Sequence, residues 1–482
     1  MRDYLLLYVN GRRQRVSGRD CFLNLSDFLR LRLGLVGTKI VCSEGDCGSC
    51  TVLIGRARDD RFDYRPVDSC IQWMFQLDGT HVDTIEGLSG NGRLTPVQEA
   101  MVRCHGSQCG FCTPGFVVAM TGLLEENAPL TEDDLRHGLT GNLCRCTGYV
   151  PIIEAGLEVN GVTVQRINDV YAPAPMLRDL VAAAEDSIEV ETADPGRTRR
   201  FFAPASLHDA LRVLADHPAA KIVAGATDVG VQLNKGVIDP DVFLDLNRVT
   251  ELEGAAIETN GAGDVLVAGA RTSWTEIEAI SHETLPEFYN IVSVFGSPQI
   301  RHVGTIGGNI INASPIADSL PFLMVMEAEL ELASVNGTRT VPITQFYRSY
   351  KRFDLRPGEL LSAVRVPLPA SGDLLRLVKV SRRRDLDIAT FTAAIWLRFD
   401  GSAIADARLA FGAVGPTVIR AAQTETFLRG RPFDEDTMRA AGDVAIAEIS
   451  PISDVRGGAE FRYQLTKNVL LKAYYEQAAS AV

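Results

Sequence analysis

The 482-residue sequence contains no apolar run approaching the roughly 18 to 20 residues that a membrane helix needs. Near its start, Leu5 to Val9 is too short for a signal core and runs into the turn pair Asn10-Gly11, so it reads as a strand. Positive charge is scarce as well. The net charge of -13 argues against nucleic acid as a main partner, because phosphate neutralisation needs clustered Lys and Arg. H-E-x-x-H and G-x-S-x-G are absent, which removes two common hydrolytic chemistries. A soluble, cytoplasmic chain with no membrane or nucleic-acid partner is expected. In so acidic a chain, any anionic ligand must be held by local amides.

The length suggests three or four folding units, and 46% hydrophobic residues suffice for ordinary cores. Ten cysteines are present, eight of them in two compact sets: Cys42, Cys47, Cys50, Cys70 and Cys109, Cys112, Cys144, Cys146. Such clustering favours metal ligation over disulfides. Cys21 and Cys104 are left over and read as small buried hydrophobes.

The first set has the C-x4-C-x2-C spacing, interrupted by glycine, of a plant-type [2Fe-2S] run, with Cys70 as fourth ligand after a strand. Around it the chain predicts a hairpin (Tyr4 to Val9, Arg12 to Val16), a helix Phe28 to Leu33 starting at Ser26-Asp27 and ending at Gly34, and a strand from Thr51 to Ile54. A small mixed sheet on one helix, a β-grasp ferredoxin arrangement, is expected over 1–85. From about residue 86 helices take over. Thr95-Pro96-Val97-Gln98 and Thr113-Pro114 carry start signals, Thr131-Glu132-Asp133-Asp134 is acidic in its first turn, and an apolar segment follows Pro151. This helical bundle, 86–160, carries the second set as C-x2-C at a helix start and a downstream C-x-C. A structural zinc site would be the default for C-x2-C alone. The C-x-C half and the iron–sulfur run upstream count against it.

Residues 161–197, with Ala172-Pro173-Ala174-Pro175, an acidic patch from Glu185 to Asp194 and Pro195-Gly196-Arg197, read as a surface linker. Beyond it, Ile222-Val223-Ala224 runs into the turn Gly225-Ala226-Thr227-Asp228-Val229-Gly230. That turn can aim several amides at a diphosphate but is not the G-x-G-x-x-G of a Rossmann site. A second element, Gln299 to Ile310, combines Thr305, Gly307, Gly308 and Asn309, with Asp318 one loop further on. Strands near Ala389 to Arg398 and Ala403 to Phe411 and a helix Glu460 to Gln477 close the chain.

Together, Cys42 to Cys50 with Cys70, Gly106-Ser107-Gln108-Cys109-Gly110-Phe111-Cys112-Thr113-Pro114-Gly115 and Gly141-Asn142-Leu143-Cys144-Arg145-Cys146-Thr147-Gly148-Tyr149 closely resemble the paired [2Fe-2S] module of the xanthine dehydrogenase family of molybdenum hydroxylases. The resemblance implies an α+β multidomain chain: the two [2Fe-2S] domains, a vanillyl-alcohol-oxidase-type FAD domain over 198–372 and a C-terminal α+β flavoprotein lobe over 373–482. It implies that the Cys109, Cys112, Cys144, Cys146 cluster lies nearest the molybdenum and that Gln108 hydrogen-bonds molybdopterin across an interface. Without it, Gln108 is a loop amide bracing its own turn. It further implies that Gly225, Ala226, Thr227, Asp228, Val229 and Gly230 cradle the FAD diphosphate. Thr305, Gly308, Asn309 and Asp318 would contact the rest of FAD, Phe295 would pack near the flavin, Lys379 would lie near the isoalloxazine and Tyr350 near the nicotinamide pocket. Read without the resemblance, Phe295 is core, Tyr350 a surface aromatic and Lys379 a snorkelling lysine. Arg382-Arg383-Arg384-Asp385-Leu386-Asp387 is a basic loop that could attract the NAD diphosphate.

Two clusters and FAD leave no room for a molybdopterin site, so the resemblance implies a small subunit with no catalytic residue of its own. Electrons from a molybdopterin-binding large subunit, in a dimer of heterodimers, would pass to FAD and then NAD during oxidation of hypoxanthine and xanthine to urate. A partner acting on another N-heterocycle or an aldehyde, and a stand-alone ferredoxin–flavin carrier, are the alternatives.

Overall fold

Asn10 and Gly11 both take positive φ, 48° and 71°, as a type I′ turn requires. The computed structural model containing this turn describes residues 1–89, 92–126, 129–194, 196–261 and 263–480. Pro195 of the expected linker lies outside them. Two compact units emerge, Met1–Glu251 with Ser297–Gly304, and Leu252–Gly296 with Thr305–Val482. The stretch 198–372, expected as a single domain, is therefore shared between them.

In the first unit the hairpin Tyr4–Val9 and Arg12–Ser17 belongs to a five-stranded sheet. The order is Arg12–Ser17, Tyr4–Val9, Thr80–Asp83, Thr51–Arg58, Arg61–Asp68, with only the Tyr4–Val9/Thr80–Asp83 pair parallel. Alternation assigns its two faces. Leu5, Leu7 and Val9 pack with Phe28 and Leu29, while Leu6, Leu53, Phe62 and Tyr64 meet Val97, Phe116 and Val117 of the helices.

The helix expected from Ser26-Asp27 starts earlier. Asn24 is its cap, its side chain accepting the Asp27 N–H at 2.8 Å, and the turn Leu25–Asp27 widens into a π-helical turn over Phe28–Arg32. Gly34, at φ 70°, ends it with Leu35 N–H donating back to Leu29 C=O at 2.9 Å. Helices Pro96–Arg103, Thr113–Glu126, Glu132–Gly138 and Val150–Glu158 follow, with reciprocal capping by Thr95/Gln98 and Thr131/Asp134. Thr113 departs from its expected capping role. The Cys112 carbonyl takes the first helical bond, from Phe116 N–H, and the Thr113 hydroxyl donates to Ser107.

The expected linker is folded. Pro173 opens a helix, Pro173–Ala182, as its fixed φ allows at a first helical position, and Met176, Leu177 and Leu180 are buried. Asn168 bonds both backbone groups of Phe62, Tyr171 donates to Gly87 C=O, and Asp179 takes Tyr8 and Arg13. The segment then supplies strand Ile188–Asp194 to a four-stranded sheet ordered Ile188–Asp194, Arg197–Ala203, Val242–Asp245, Lys221–Val223.

The second unit has an antiparallel sheet ordered Ala255–Asn260, Gly263–Gly269, Leu360–Pro367, Glu329–Ser334, Gly337–Pro342. Trp274, Phe288, Ile306, Ile310 and Phe322, from flanking helices, fill its core. A second sheet, Leu374–Val380, Phe391–Asp400, Ala403–Gly412, Ile419–Arg420, is buried on both faces. Ala394 and Trp396 join that core, while Ile395 and Leu397 face Met438, Val469 and Leu470 of helices Glu435–Ala445 and Ala459–Ser480.

Candidate functional site

Cys42, Cys47 and Cys50 lie on one loop in which Ser43, Gly45 and Gly48 all take positive φ. This left-handed backbone wraps the chain tightly, and Glu44 N–H points at Cys42 Sγ at 3.4 Å. The thiol of Cys42 is within hydrogen-bonding reach of Cys47 and of Cys70, and Cys70 also reaches Cys50. Cys50 and Cys70 are buried. Burial, with the Cys42 thiolate nearby, pushes the Asp68 carboxyl up to about 7.

The second set forms two pairs, Cys112 with Cys144 and Cys109 with Cys146. Cys112 stands at the start of helix Thr113–Glu126, where the helix dipole favours negative charge. The returning loop is braced locally: Cys144 N–H donates to the Tyr149 hydroxyl at 3.0 Å, and Thr147 Oγ1 lies 3.2 Å from Cys144 Sγ. Gln108, Cys109 and Cys146 are exposed. Among the described residues no three His, Cys, Asp or Glu side chains converge as the ligands of one ion do. Four thiols in a linked series in the first set, and two thiol pairs in the second, fit a [2Fe-2S] cluster with two thiolates to each iron. Of the two cysteines outside these sets, Cys21 is buried as expected. Cys104 is not: it is half-exposed, with its thiol 2.9 Å from Glu158.

The two loops touch. Leu143 N–H donates to Cys47 C=O at 3.0 Å, and Asn142 Nδ2 donates to Gly48 C=O at 3.0 Å. Gln299 Nε2 donates to Asn142 Oδ1 at 2.8 Å. Neither amide was singled out in the sequence, because their partners lie far away along the chain.

Gly225 to Gly230 form the turn after strand Lys221–Val223 and open helix Val229–Asn234. Ala226 is held at φ 59°. At Gly225 a Cβ would lie 1.9 Å from Val303 O, so only glycine fits. The other predicted flavin contacts belong to the second unit. Thr305 caps helix Ile306–Asn312 by accepting Gly308 N–H at 3.0 Å, and Asn309 Oδ1 accepts from Ser319 at 2.6 Å. Gly307 serves packing, since a Cβ there would meet Ala270 O at 2.5 Å.

Lys379 is no snorkelling surface lysine. Its Nζ pairs with Asp318 at 2.7 Å, both side chains nearly inaccessible, and bonds Val294 C=O at 3.2 Å beside Phe295, which packs edge-on against Trp274. Asp318 Oδ1 is buried with no partner among the described residues, an acceptor that a bound group can satisfy. Burial raises the Asp318 pKa against the lowering effect of Lys379. Tyr350 is 59% exposed on the turn between Tyr347–Ser349 and Arg352–Phe353. In the basic loop Asp387 takes Arg383, and Arg384 stays exposed.

Three family models match the chain: a [2Fe-2S] binding domain over 84–157, an FAD binding domain in molybdopterin dehydrogenase over 196–369 and a CO dehydrogenase flavoprotein C-terminal domain over 376–477. Xanthine dehydrogenase 1 of Arabidopsis thaliana is 31% identical over 540 residues, spanning 97% of this chain and 39% of that protein. Aldehyde oxidase 1 of Macaca fascicularis is 32% identical over 529 residues, spanning 98% and 39%. The chain thus spans well under half the length of these curated relatives. A carbon monoxide dehydrogenase structure from Hydrogenophaga pseudoflava superposes with a TM-score of 0.54 at 30% identity, over 59% of this chain and 98% of that one. Taken with the two sets of thiols and the glycine turn, these matches show that the chain belongs to the molybdenum hydroxylase family, as an iron–sulfur and FAD electron-transfer module.

Proposed function

We propose that this module is the small subunit of a xanthine dehydrogenase, working with a molybdopterin-binding large subunit in a dimer of heterodimers. Cys42, Cys47, Cys50 and Cys70 would hold one [2Fe-2S] cluster, and Cys109, Cys112, Cys144 and Cys146 the other. Gly225 to Gly230 would take the FAD diphosphate, and Phe295, Thr305, Gly308, Asn309, Asp318 and Lys379 the rest of FAD. The clusters would supply one-electron transfer and FAD two-electron chemistry toward NAD. The functional divisions are 1–85, 86–160, 198–372 and 373–482, with 161–197 as the folded connection.

The observation that carries this reading is the gathering of all eight thiols into two sets of four, together with the direct hydrogen bond between their loops. Thiolates fixed in such sets need little reorganisation when charge changes. Exposure of Gln108, Cys109 and Cys146 supports an electron entry face there for the partner, with Gln108 donating to molybdopterin. Lys379, held by Asp318, keeps a positive charge beside Phe295, where it can stabilise negative charge on a reduced flavin. Tyr350 is exposed and free to meet the nicotinamide.

Aldehyde oxidase matches at the same level of identity, so a partner acting on aldehydes is the second reading. Assay of the co-expressed complex on xanthine, hypoxanthine, nicotinate and aldehydes, with NAD as acceptor, tests both. NAD-linked xanthine turnover supports the proposal. Turnover confined to aldehydes overturns the substrate, and a molybdenum-free monomer purified from the native host overturns the partner.

A further inference from the structure

Two consecutive peptides of the Gly225 turn are held from outside the turn. The Ala224 carbonyl accepts from Gln76 Nε2 at 2.8 Å and Asn247 Nδ2 at 2.9 Å, and the Gly225 carbonyl accepts from Gln72 Nε2 at 3.1 Å. In a trans peptide the C=O and N–H point in opposite directions. Three side-chain amides therefore turn the N–H groups of Gly225 and Ala226 away from Gln72 and Gln76, and neither donates to a backbone carbonyl among the described residues. With Ala226 in the left-handed region, successive N–H groups can converge on one anion.

Gln72 and Gln76 lie just after Cys70 in the ferredoxin part of the chain, each only 2% exposed, so water does not compete for their donors. Contact also runs the other way. Asn234, the last residue of the helix that the turn opens, donates to the carbonyls of Cys70 at 2.8 Å and Ser43 at 3.0 Å. That helix lies so close that a Cβ on Gly230 would meet Ile71 O at 2.4 Å, and Lys235 pairs with Glu44 at 2.9 Å. The cysteine loop and the glycine turn are thus tied at both ends of one short helix.

We propose that Gln72 and Gln76 are positioning residues for the FAD diphosphate, and that Asn234 completes a set of contacts through which FAD occupancy and the first cluster's surroundings depend on each other. This rests on Gly225 to Gly230 being the diphosphate turn. Without the Gln72 amide the Gly225 carbonyl loses the side-chain donor that holds it, and without the Gln76 amide the Ala224 carbonyl is held by Asn247 alone, so the N–H groups are less firmly preorganised. Coupling of this kind is reciprocal: if FAD alters the first cluster, the cluster's state alters FAD affinity equally.

The test uses the full chain with its clusters. Gln72→Glu and Gln76→Glu keep side-chain size while replacing the donor by an acceptor, and Gln72→Leu and Gln76→Leu make the same comparison should the Glu variants lose iron. FAD affinity is read by flavin fluorescence on titration into FAD-stripped protein, with iron per chain as the folding control and EPR of the first cluster recorded with and without FAD. The expected result is FAD binding weakened about tenfold or more at unchanged iron content. FAD is also expected to shift the first cluster's EPR in the unmodified protein but not in Asn234→Ala. Equal FAD affinity across iron-replete variants overturns the inference alone. An unmodified protein with no FAD affinity overturns the diphosphate reading and the inference with it.

Discussion

Leu143 donates its backbone N–H to the carbonyl of Cys47 at 3.0 Å, so the residue before Cys144 is hydrogen-bonded to a cysteine of the other loop. One hydrogen bond thus joins short covalent paths from the two thiol sets. Glycines make the approach possible: a Cβ on Gly115 would meet Gly48 O at 2.2 Å, and one on Gly141 would meet Gln299 Oε1 at 2.0 Å.

Asn142 guards this junction, and its truncation tests how much. It is buried, bonds Gly48 C=O and accepts from Gln299. Asn142→Ala takes away the 2.8 Å acceptor of Gln299 Nε2 and leaves it the longer contact to Thr51 Oγ1 at 3.4 Å, and about 1–3 kcal/mol of stability should be lost. Thermal unfolding reads the loss, and EPR should show altered magnetic coupling between the clusters. An unchanged melting temperature and spectrum would mean that the Cys47–Leu143 bond alone sets the spacing.

Lys379→Met should be among the most damaging single changes in the second unit. It strands a buried carboxylate, at a cost of about 3–5 kcal/mol unless Asp318 takes up a proton. The Asp318 pKa in the folded protein is already raised, so the native state binds more protons than the unfolded state above the unfolded value near 3.9. Stability therefore falls as pH rises through that window, and losing Lys379 pushes the folded value higher still. The variant's deficit should shrink on acidification, as urea unfolding across pH will show. A pH-independent deficit would contradict the charge argument.

His81 supplies the opposite sign. It is buried between Tyr64 Oη, 2.6 Å from Nδ1, and Gly11 N–H, which donates to Nε2 at 2.9 Å, and burial lowers its pKa to about 4. With the folded value below the unfolded one, near 6.5, its stabilisation is complete above 6.5 and is lost as pH falls toward 4, by about 3 kcal/mol. Relative to His81→Gln, which keeps an acceptor for Gly11, the unmodified protein should lose stability more steeply over that range. Parallel pH profiles would rule the histidine out.

Arg384 projects from the basic loop, whereas Arg383 is neutralised by Asp387. Charge reversal by Arg384→Glu should raise the KM for NAD several-fold at low salt and little at high salt, since exposed charges are screened over about 10 Å at 0.1 M. Steady-state kinetics at two ionic strengths measures this. An unchanged KM removes the loop from NAD recognition.

Local signals were legible in the sequence wherever cause and effect lie within a few residues. Thr95 with Gln98, Thr131 with Asp134, the Asn10-Gly11 turn and the cysteine spacings each act over one turn or loop. Segment 161–197 misled because its prolines signal a linker as readily as a helix start, and only burial of Met176, Leu177 and Leu180 distinguishes the two. The Lys379–Asp318 pair and the Gln72, Asn142, Asn234 and Gln299 amides were invisible because each acts on a partner that only the tertiary fold brings near. Thr305 and Gly307 illustrate a subtler limit. A polar or glycine residue in a binding motif can be occupied by capping or packing, so residue type alone does not say what it touches.

Two distinct [2Fe-2S] clusters on one chain are open to direct measurement by EPR of the dithionite-reduced protein. Two signals are predicted at about four irons per chain, two per cluster, with one signal lost in Cys144→Ala and the other kept. A single signal in the unmodified protein, or zinc in place of iron at the Cys109 set, would contradict the account.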